Sequence, residues 1–239
     1  MSDGIYLVTG ALGGLGQGVT RALLETGARV AALERRGDAF DAYREALGEE
    51  LAARLECVQV DVTDEESVAA AFARYADQPV LGVAHLVGGY TGGVSIEATP
   101  LADFERMVAL NLRSTFLVIR GAAQLLKERG ESAAIVCVGS VTGRSGGKHH
   151  GPYASTKAAV HSLVRSAAAD LAESGVRVNA VLPAMIATPA NLDAMPDADH
   201  SAWVTPEEVG AAIQWLLSPA SARVTGACVE VAGKSYTPD

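Results

Sequence analysis

Seven short apolar runs alternate with longer amphipathic stretches along this chain, and that alternation limits the fold more than any other feature. The runs fall at 5–8, 29–33, 56–60, 80–87, 134–138, 177–182 and 227–231. Most are apolar throughout, as strands covered on both faces must be. Between them, the spacing of apolar residues predicts helices over 15–26, 38–53, 64–76, 103–129, 153–174 and 205–218. Asp64, Pro152 and the Thr205-Pro-Glu-Glu208 segment supply start signals for three of these. Strand-helix alternation of this kind requires right-handed crossovers. The expected α/β architecture is a doubly wound, seven-stranded parallel sheet with helices on both faces. At 239 residues and 49% hydrophobic content, the chain has enough apolar material for such a core. Only 5% of residues are aromatic, so small side chains must let helices lie close to the sheet.

The first run leads into Thr9-Gly-Ala-Leu-Gly-Gly-Leu-Gly16. Glycines at 10, 14 and 16 let the backbone turn sharply and approach a ligand closely. The helix that follows offers free N–H groups and a positive dipole end to a pyrophosphate, with Leu15 at its start. Glu34 ends the second strand, where a carboxylate can accept from both hydroxyls of an adenosine ribose. That favours NAD, while the adjoining Arg35 and Arg36 keep NADP open. Asp61 and Val62 follow the third strand. The aspartate can cap an adenine amino group or the helix beginning near Thr63. Gly88, after the fourth strand, provides a floor on which a cofactor can lie. These features place the whole of 1–239 in one Rossmann-type dinucleotide-binding domain.

Several classes are disfavoured. A net charge of −9 does not suit a nucleic-acid or anionic membrane surface. The N-terminus lacks the marks of a signal peptide, and no apolar run is long enough to span a bilayer. Cys57, Cys137 and Cys228 lie far apart in apolar runs and read as reduced, packed thiols. No Cys/His spacing suggests a metal. The expectation is a soluble cytoplasmic protein.

A second group of residues carries chemistry. Pro152 starts a helix, so Tyr153 and Lys157 stand one turn apart on one face. An ammonium that close is expected to stabilise tyrosinate and lower the phenol's pKa. Ser140 leaves the fifth strand thirteen residues before Tyr153. Asn111 is a polar residue inside an apolar helix, where an amide is disfavoured. Together with the glycine turn and Asn179-Ala-Val-Leu-Pro183 followed by Thr188, these residues resemble the short-chain dehydrogenases/reductases. The resemblance runs in order over nearly the whole chain. It implies NAD(P)-dependent hydride transfer to or from a small carbonyl or alcohol substrate. Tyr153 would be the general acid/base, and Ser140 would hydrogen-bond the reacting oxygen. Asn111 would hold a water beside Lys157, and the Ile186 backbone and Thr188 side chain would contact the nicotinamide carboxamide. It also implies a homodimer or homotetramer, built on the helices at 103–129 and 153–174.

The chain departs from the family pattern in three places: Pro183-Ala184, Val87-Gly-Gly89 and Val231-Ala-Gly-Lys234. The weakly periodic segment 187–204 reads as a short substrate lid. With Thr205-Pro-Glu-Glu208 it is similar to the corresponding tract of dihydropteridine reductases, which keeps pterin reduction as an alternative. Trp203 and Met195 could then stack on a flat ring, or pin the lid to the body. Ser140 favours ordinary carbonyl chemistry instead. A dinucleotide-binding sensor without turnover is a further alternative. His149 and His150 read as exposed loop residues that a substrate could touch. His161 reads as a packing residue, and His85 as a satisfied core histidine.

Overall fold

A computed structural model describes residues 4–37, 39–127 and 133–235. The strands are β1 (Ile5–Thr9), β2 (Arg29–Glu34), β3 (Leu55–Gln59), β4 (Val80–His85), β5 (Ala134–Val138), β6 (Arg177–Pro183) and β7 (Cys228–Val231). They form one sheet in the order β3-β2-β1-β4-β5-β6-β7, and every pairing is parallel. Along β1 and β5 successive side chains enter opposite cores. Leu7 and Ile135 face one cluster, Val8 and Val136 the other.

The helices are α1 (Gly16–Glu25), α2 (Phe40–Leu47), α3 (Glu49–Ala52), α4 (Glu65–Ala73), α5 (Leu101–Met107), α6 (Ser114–Leu126), α7 (Thr142–Ser145), α8 (Gly151–Asp170), α9 (Pro189–Ala194) and α10 (Pro206–Leu217). Residues of α4, α6 and α8 fill one core: Val68, Phe72, Leu117, Val118, Val160 and Val164. Residues of α1 and α10 fill the other, through Val19, Leu23, Ile213 and Leu216. Asp64 caps α4 by accepting from the Ser67 N–H, and Thr205 with Glu208 forms a capping box on α10. Because β1 is flanked by β2 and β4, the chain winds outward in both directions from that point. A crevice therefore opens above the carboxyl ends of these strands.

Three expected elements differ. The helix expected over 38–53 divides into α2 and α3 at Gly48, which has a φ of 79°; Asp38 lies outside the described residues. The helix expected over 103–129 divides into α5 and α6 around a π-helical turn at Val108–Arg113; residues 128 and 129 lie outside the described residues. The helix expected over 153–174 starts at Gly151 and ends at Asp170. The polar residues inside the run at 177–182 are also accounted for. Arg177 donates to the Leu216 and Ser218 carbonyls at the end of α10. Asn179 donates to the Val224 carbonyl and accepts from the Ala227 N–H.

The turn between β1 and α1 depends on Gly16. A Cβ there would lie 1.9 Å from the Gly10 carbonyl oxygen and 2.7 Å from the Ala11 carbonyl carbon, both backbone atoms. Gly18, two residues on, would meet nothing within 4 Å. Urea unfolding should therefore separate the two alanine variants. Gly16→Ala is expected to lose about 1–3 kcal/mol through overpacking. Gly18→Ala is expected to gain about 0.5–1 kcal/mol from helix propensity. Equal effects would contradict this account of the turn.

Candidate active site

The crevice holds a cavity of about 400 Å³ lined by Gly13, Glu34, Asp61, Val62, Val87 and Gly88, among others. Its walls carry groups that could hold a dinucleotide. Gly10 turns with a φ of 70°, and α1 begins with no acidic residue and no side-chain cap at Leu15. The helix dipole is therefore left uncompensated at that end. Leu15 itself is buried below the turn. Gly14 faces Thr188, so that a Cβ at Gly14 would lie 3.0 Å from the threonine Cβ. The glycine turn thus meets the segment that follows β6.

Glu34 reaches across to accept from the Leu12 N–H at 2.7 Å. Burial pushes its carboxyl above the ordinary value, while the Leu12 N–H and Arg36 pull it back. Asp61 does not cap a helix. Its Oδ1 accepts from the Thr63 hydroxyl and N–H, which holds its carboxyl below the usual value, and Asp64 takes the capping role. Asp61 and Val62 therefore border the cavity as a tight turn. Gly88 lies over two buried side chains. A Cβ there would sit 3.1 Å from Asn111 Oδ1 and 3.2 Å from Lys157 Nζ.

Asn111, in the π-helical turn, is fully buried. Its Oδ1 accepts from the Gly89 N–H at 2.9 Å. Its Nδ2 donates to the Gly89 carbonyl and to Thr156 Oγ1, each at 3.1 Å. Lys157 is 4% exposed and donates to the Val138 carbonyl at 2.8 Å. Burial brings its pKa down to about 8. Tyr153 is half-buried, with the Lys157 ammonium 5.9 Å from its ring centroid, and Ser140 acts on its phenol.

The expected acidification of Tyr153 by Lys157 is corrected here. Burial pushes the phenol above its ordinary value, and Ser140 opposes that only in part. The Lys157 ammonium is instead turned to the Val138 carbonyl at the end of β5, and desolvation sets the direction of the shift.

Burial also governs the two deep histidines. His85 lies between Thr9 Oγ1 at 2.7 Å and Ser114 Oγ at 3.2 Å. Ser114 spends its proton on the Leu110 carbonyl, so it accepts from His85 Nε2–H, and Nδ1 accepts from Thr9. Desolvation takes His85 down to about 3, which keeps it neutral. It is a satisfied core residue, as the sequence suggests. His161 does more than pack. It lies below the Ser140 loop, where Nε2 accepts from the Ser140 N–H at 3.4 Å. A Cβ at Gly139 or Gly143 would strike the imidazole, at 2.6 and 2.8 Å.

The segment at 187–204 is more ordered than a loop. Ile186 and Val204 pair at its base, and Thr188 caps α9 by accepting from the Asn191 N–H. The Ile186 carbonyl accepts from the Thr188 N–H and Asn191 Nδ2. Trp203 packs on His200 with centroids 4.4 Å apart, and His200 bonds the Met195 carbonyl. These contacts pin the segment to itself.

The structure adds Tyr90 and His150, which the sequence reading passed over or took for an exposed loop. His149 and His150 are both half-buried, not exposed. The Tyr90 hydroxyl lies 3.1 Å from His150 Nδ1, and its ring meets Tyr153 edge-on at 5.1 Å. The available signals were positional: Tyr90 directly follows Gly88-Gly89, and His150 precedes Gly151-Pro-Tyr153. Among the described residues, no group of His, Cys, Asp and Glu side chains could hold a metal ion. No helix among them is long and apolar enough to cross a membrane.

Comparison with known proteins accords with this geometry. A family model described as enoyl-(acyl carrier protein) reductase matches residues 10–233. The chain is 34% identical to (3R)-3-hydroxyacyl-CoA dehydrogenase of Mus musculus, over 98% of this chain and 96% of that protein. It is 35% identical to cis-4-hydroxycyclohexanecarboxylate dehydrogenase of Sinomonas cyclohexanicum, over 99% and 97% respectively. A solved short-chain type dehydrogenase/reductase from Mycobacterium ulcerans has a TM-score of 0.91 at 30% identity, covering 98% of this chain and 90% of that one. With a glycine turn opening α1, a cavity suited to a dinucleotide and likeness over its whole length, the chain belongs to the short-chain dehydrogenase/reductase family and is an NAD(P)-dependent oxidoreductase.

Proposed function

We propose that the protein interconverts a small carbonyl compound and its alcohol, with Tyr153 as the general acid/base. The observation that carries this is the Tyr153 phenol, half-buried on α8 with Ser140 acting on it and the buried Lys157 ammonium 5.9 Å from its ring centroid. Bound along the crevice, the dinucleotide supplies the hydride in one direction and accepts it in the other. In reduction, carbon gains hydride and the carbonyl oxygen takes the Tyr153 proton; oxidation returns that proton to the phenolate. Burial favours the protonated phenol, which suits proton donation near neutral pH. Ser140 would steady the same oxygen as charge builds on it. Lys157 has three donors and uses one on Val138, leaving two for cofactor hydroxyls or water. The Asn111 amide is committed to Gly89 and Thr156, so its part would be to hold the floor and α8 in place. Both relatives named above are dehydrogenases of hydroxy compounds, which supports alcohol chemistry.

On the cofactor side, Gly10, Gly14, Leu15 and Gly16 would hold the pyrophosphate, while Asp61, Val62 and Gly88 would border the adenosine. Ile186 and Thr188 would meet the nicotinamide end. Glu34 in the cavity wall favours NAD, since a carboxylate repels a 2′-phosphate. The exposed side chains of Leu101, Phe104 and Phe116 on α5 and α6 support self-association through that face. The free thiols of Cys57, Cys137 and Cys228 suit a reducing compartment such as the cytoplasm.

Tyr153→Phe should lower kcat by about 10²–10⁴-fold. NADH affinity, followed by fluorescence, should change little. Turnover that survives the substitution would remove Tyr153 from the mechanism. Glu34→Ala should shift the ratio of kcat/KM with NADH to that with NADPH towards NADPH; an unchanged ratio would remove Glu34 as the selector. Sedimentation at micromolar concentration should show a dimer or tetramer that Phe116→Glu weakens, whereas a monomeric wild type would contradict the assembly.

A further inference from the structure

Tyr90 is 56% exposed, yet its ring is held from three sides. Its edge-to-face contact with Tyr153 has centroids 5.1 Å apart and an interplanar angle of 72°. Its hydroxyl lies 3.1 Å from His150 Nδ1, and the two rings are 5.8 Å apart. Its hydroxyl end also lies against Gly92, where a Cβ would come within 2.4 Å of the oxygen. The next glycine is anchored in turn, since the Gly93 N–H donates to the His149 carbonyl at 3.0 Å. An exposed aromatic ring left to itself would be free to rotate away. This one is kept beside the proton-donating phenol before any substrate arrives.

The ring and its partner have complementary chemistry. The Tyr90 ring is a flat apolar wall, and a planar or cyclic compound can cover it at low entropic cost. The hydroxyl–imidazole pair keeps one further donor, whichever way its proton lies. If the phenol donates to Nδ1, His150 Nε2–H remains; if Nδ1–H donates, the Tyr90 O–H remains. A ring that stacks on Tyr90 and carries a second oxygen would satisfy both features at once. A flexible open chain would lose rotamer freedom to do so. The neighbouring Val94 and Ile96 are exposed apolar side chains, and Ile96 Cδ1 borders Gly151 at the start of α8.

Building on the carbonyl–alcohol reading above, we propose that Tyr90 and His150 are specificity-determining residues that select a cyclic substrate bearing a second oxygen substituent. The discriminating probes are cyclohexane-1,4-dione, hexane-2,5-dione and cyclohexanone, each assayed by NADH oxidation. The two diones match in carbon and oxygen count and differ in ring closure. Wild-type kcat/KM should be about tenfold higher for the ring dione than for the open-chain dione, and higher than for cyclohexanone. Tyr90→Ala should reduce the ring-to-chain ratio about tenfold, mainly through KM. Tyr90→Phe and His150→Phe should keep most of that ratio while erasing the advantage of the dione over cyclohexanone. NADH binding measured in parallel shows whether each variant is folded. Equal losses on ring and chain, or no loss, would overturn the inference. Failure of the wild type on both diones would overturn it alone if another carbonyl is reduced. Reduction of no carbonyl by NADH-binding protein would overturn the dehydrogenase reading as well.

Discussion

The site depends on one buried amide. Asn111 gives both polar ends of its side chain to the backbone of Gly89 and a further N–H to Thr156. Thr156 in turn donates to the carbonyl of Tyr153. A single side chain thus joins the floor beneath the proposed cofactor, the π-helical turn and the helix that carries Tyr153 and Lys157. A buried peptide group without a partner costs about 1–3 kcal/mol, and here two such groups belong to one residue. The widened turn is the geometric consequence of placing that amide opposite Gly89, and π-helical turns of this kind recur at functional sites.

Desolvation, more than charge pairing, sets the electrostatics around that clamp. It raises the Tyr153 phenol, brings Lys157 to about 8 and keeps His85 and His161 neutral at about 3 and 4. A protonated phenol is therefore the resting form. The polar contacts that remain are mainly to backbone: Lys157 to Val138, His161 to Ser140 and Glu34 to Leu12. These bonds stiffen the loops at the carboxyl ends of the strands, where the parallel sheet opens. Rigid supports of this kind hold reacting groups in position before substrate binds.

The fold was legible because its signals are local. Continuous apolar runs, a glycine turn after β1 and capping residues at α4 and α10 each act within a few residues of themselves. The break at Asn111 was not legible in the same way. Its cause is a hydrogen bond to Gly89, twenty-two residues earlier, in a stretch of regular helical periodicity. Asp61 and Thr188 show the same limit in smaller form. Asp61 was open to ligand contact or capping and Thr188 was expected to meet the nicotinamide; the structure holds the first in a tight turn with Thr63 and the second at the start of α9.

By itself, the order of residues determined the sheet, its winding and the positions of the glycine turn, Glu34, Ser140, Tyr153 and Lys157, because spacing along a strand or helix sets which face a side chain occupies. Tertiary structure alone decided the acidity of Tyr153, the commitment of Asn111 and the meeting of Tyr90 with His150 across sixty residues. Burial and long-range contact produce those properties, and neither exists until the chain has closed on itself.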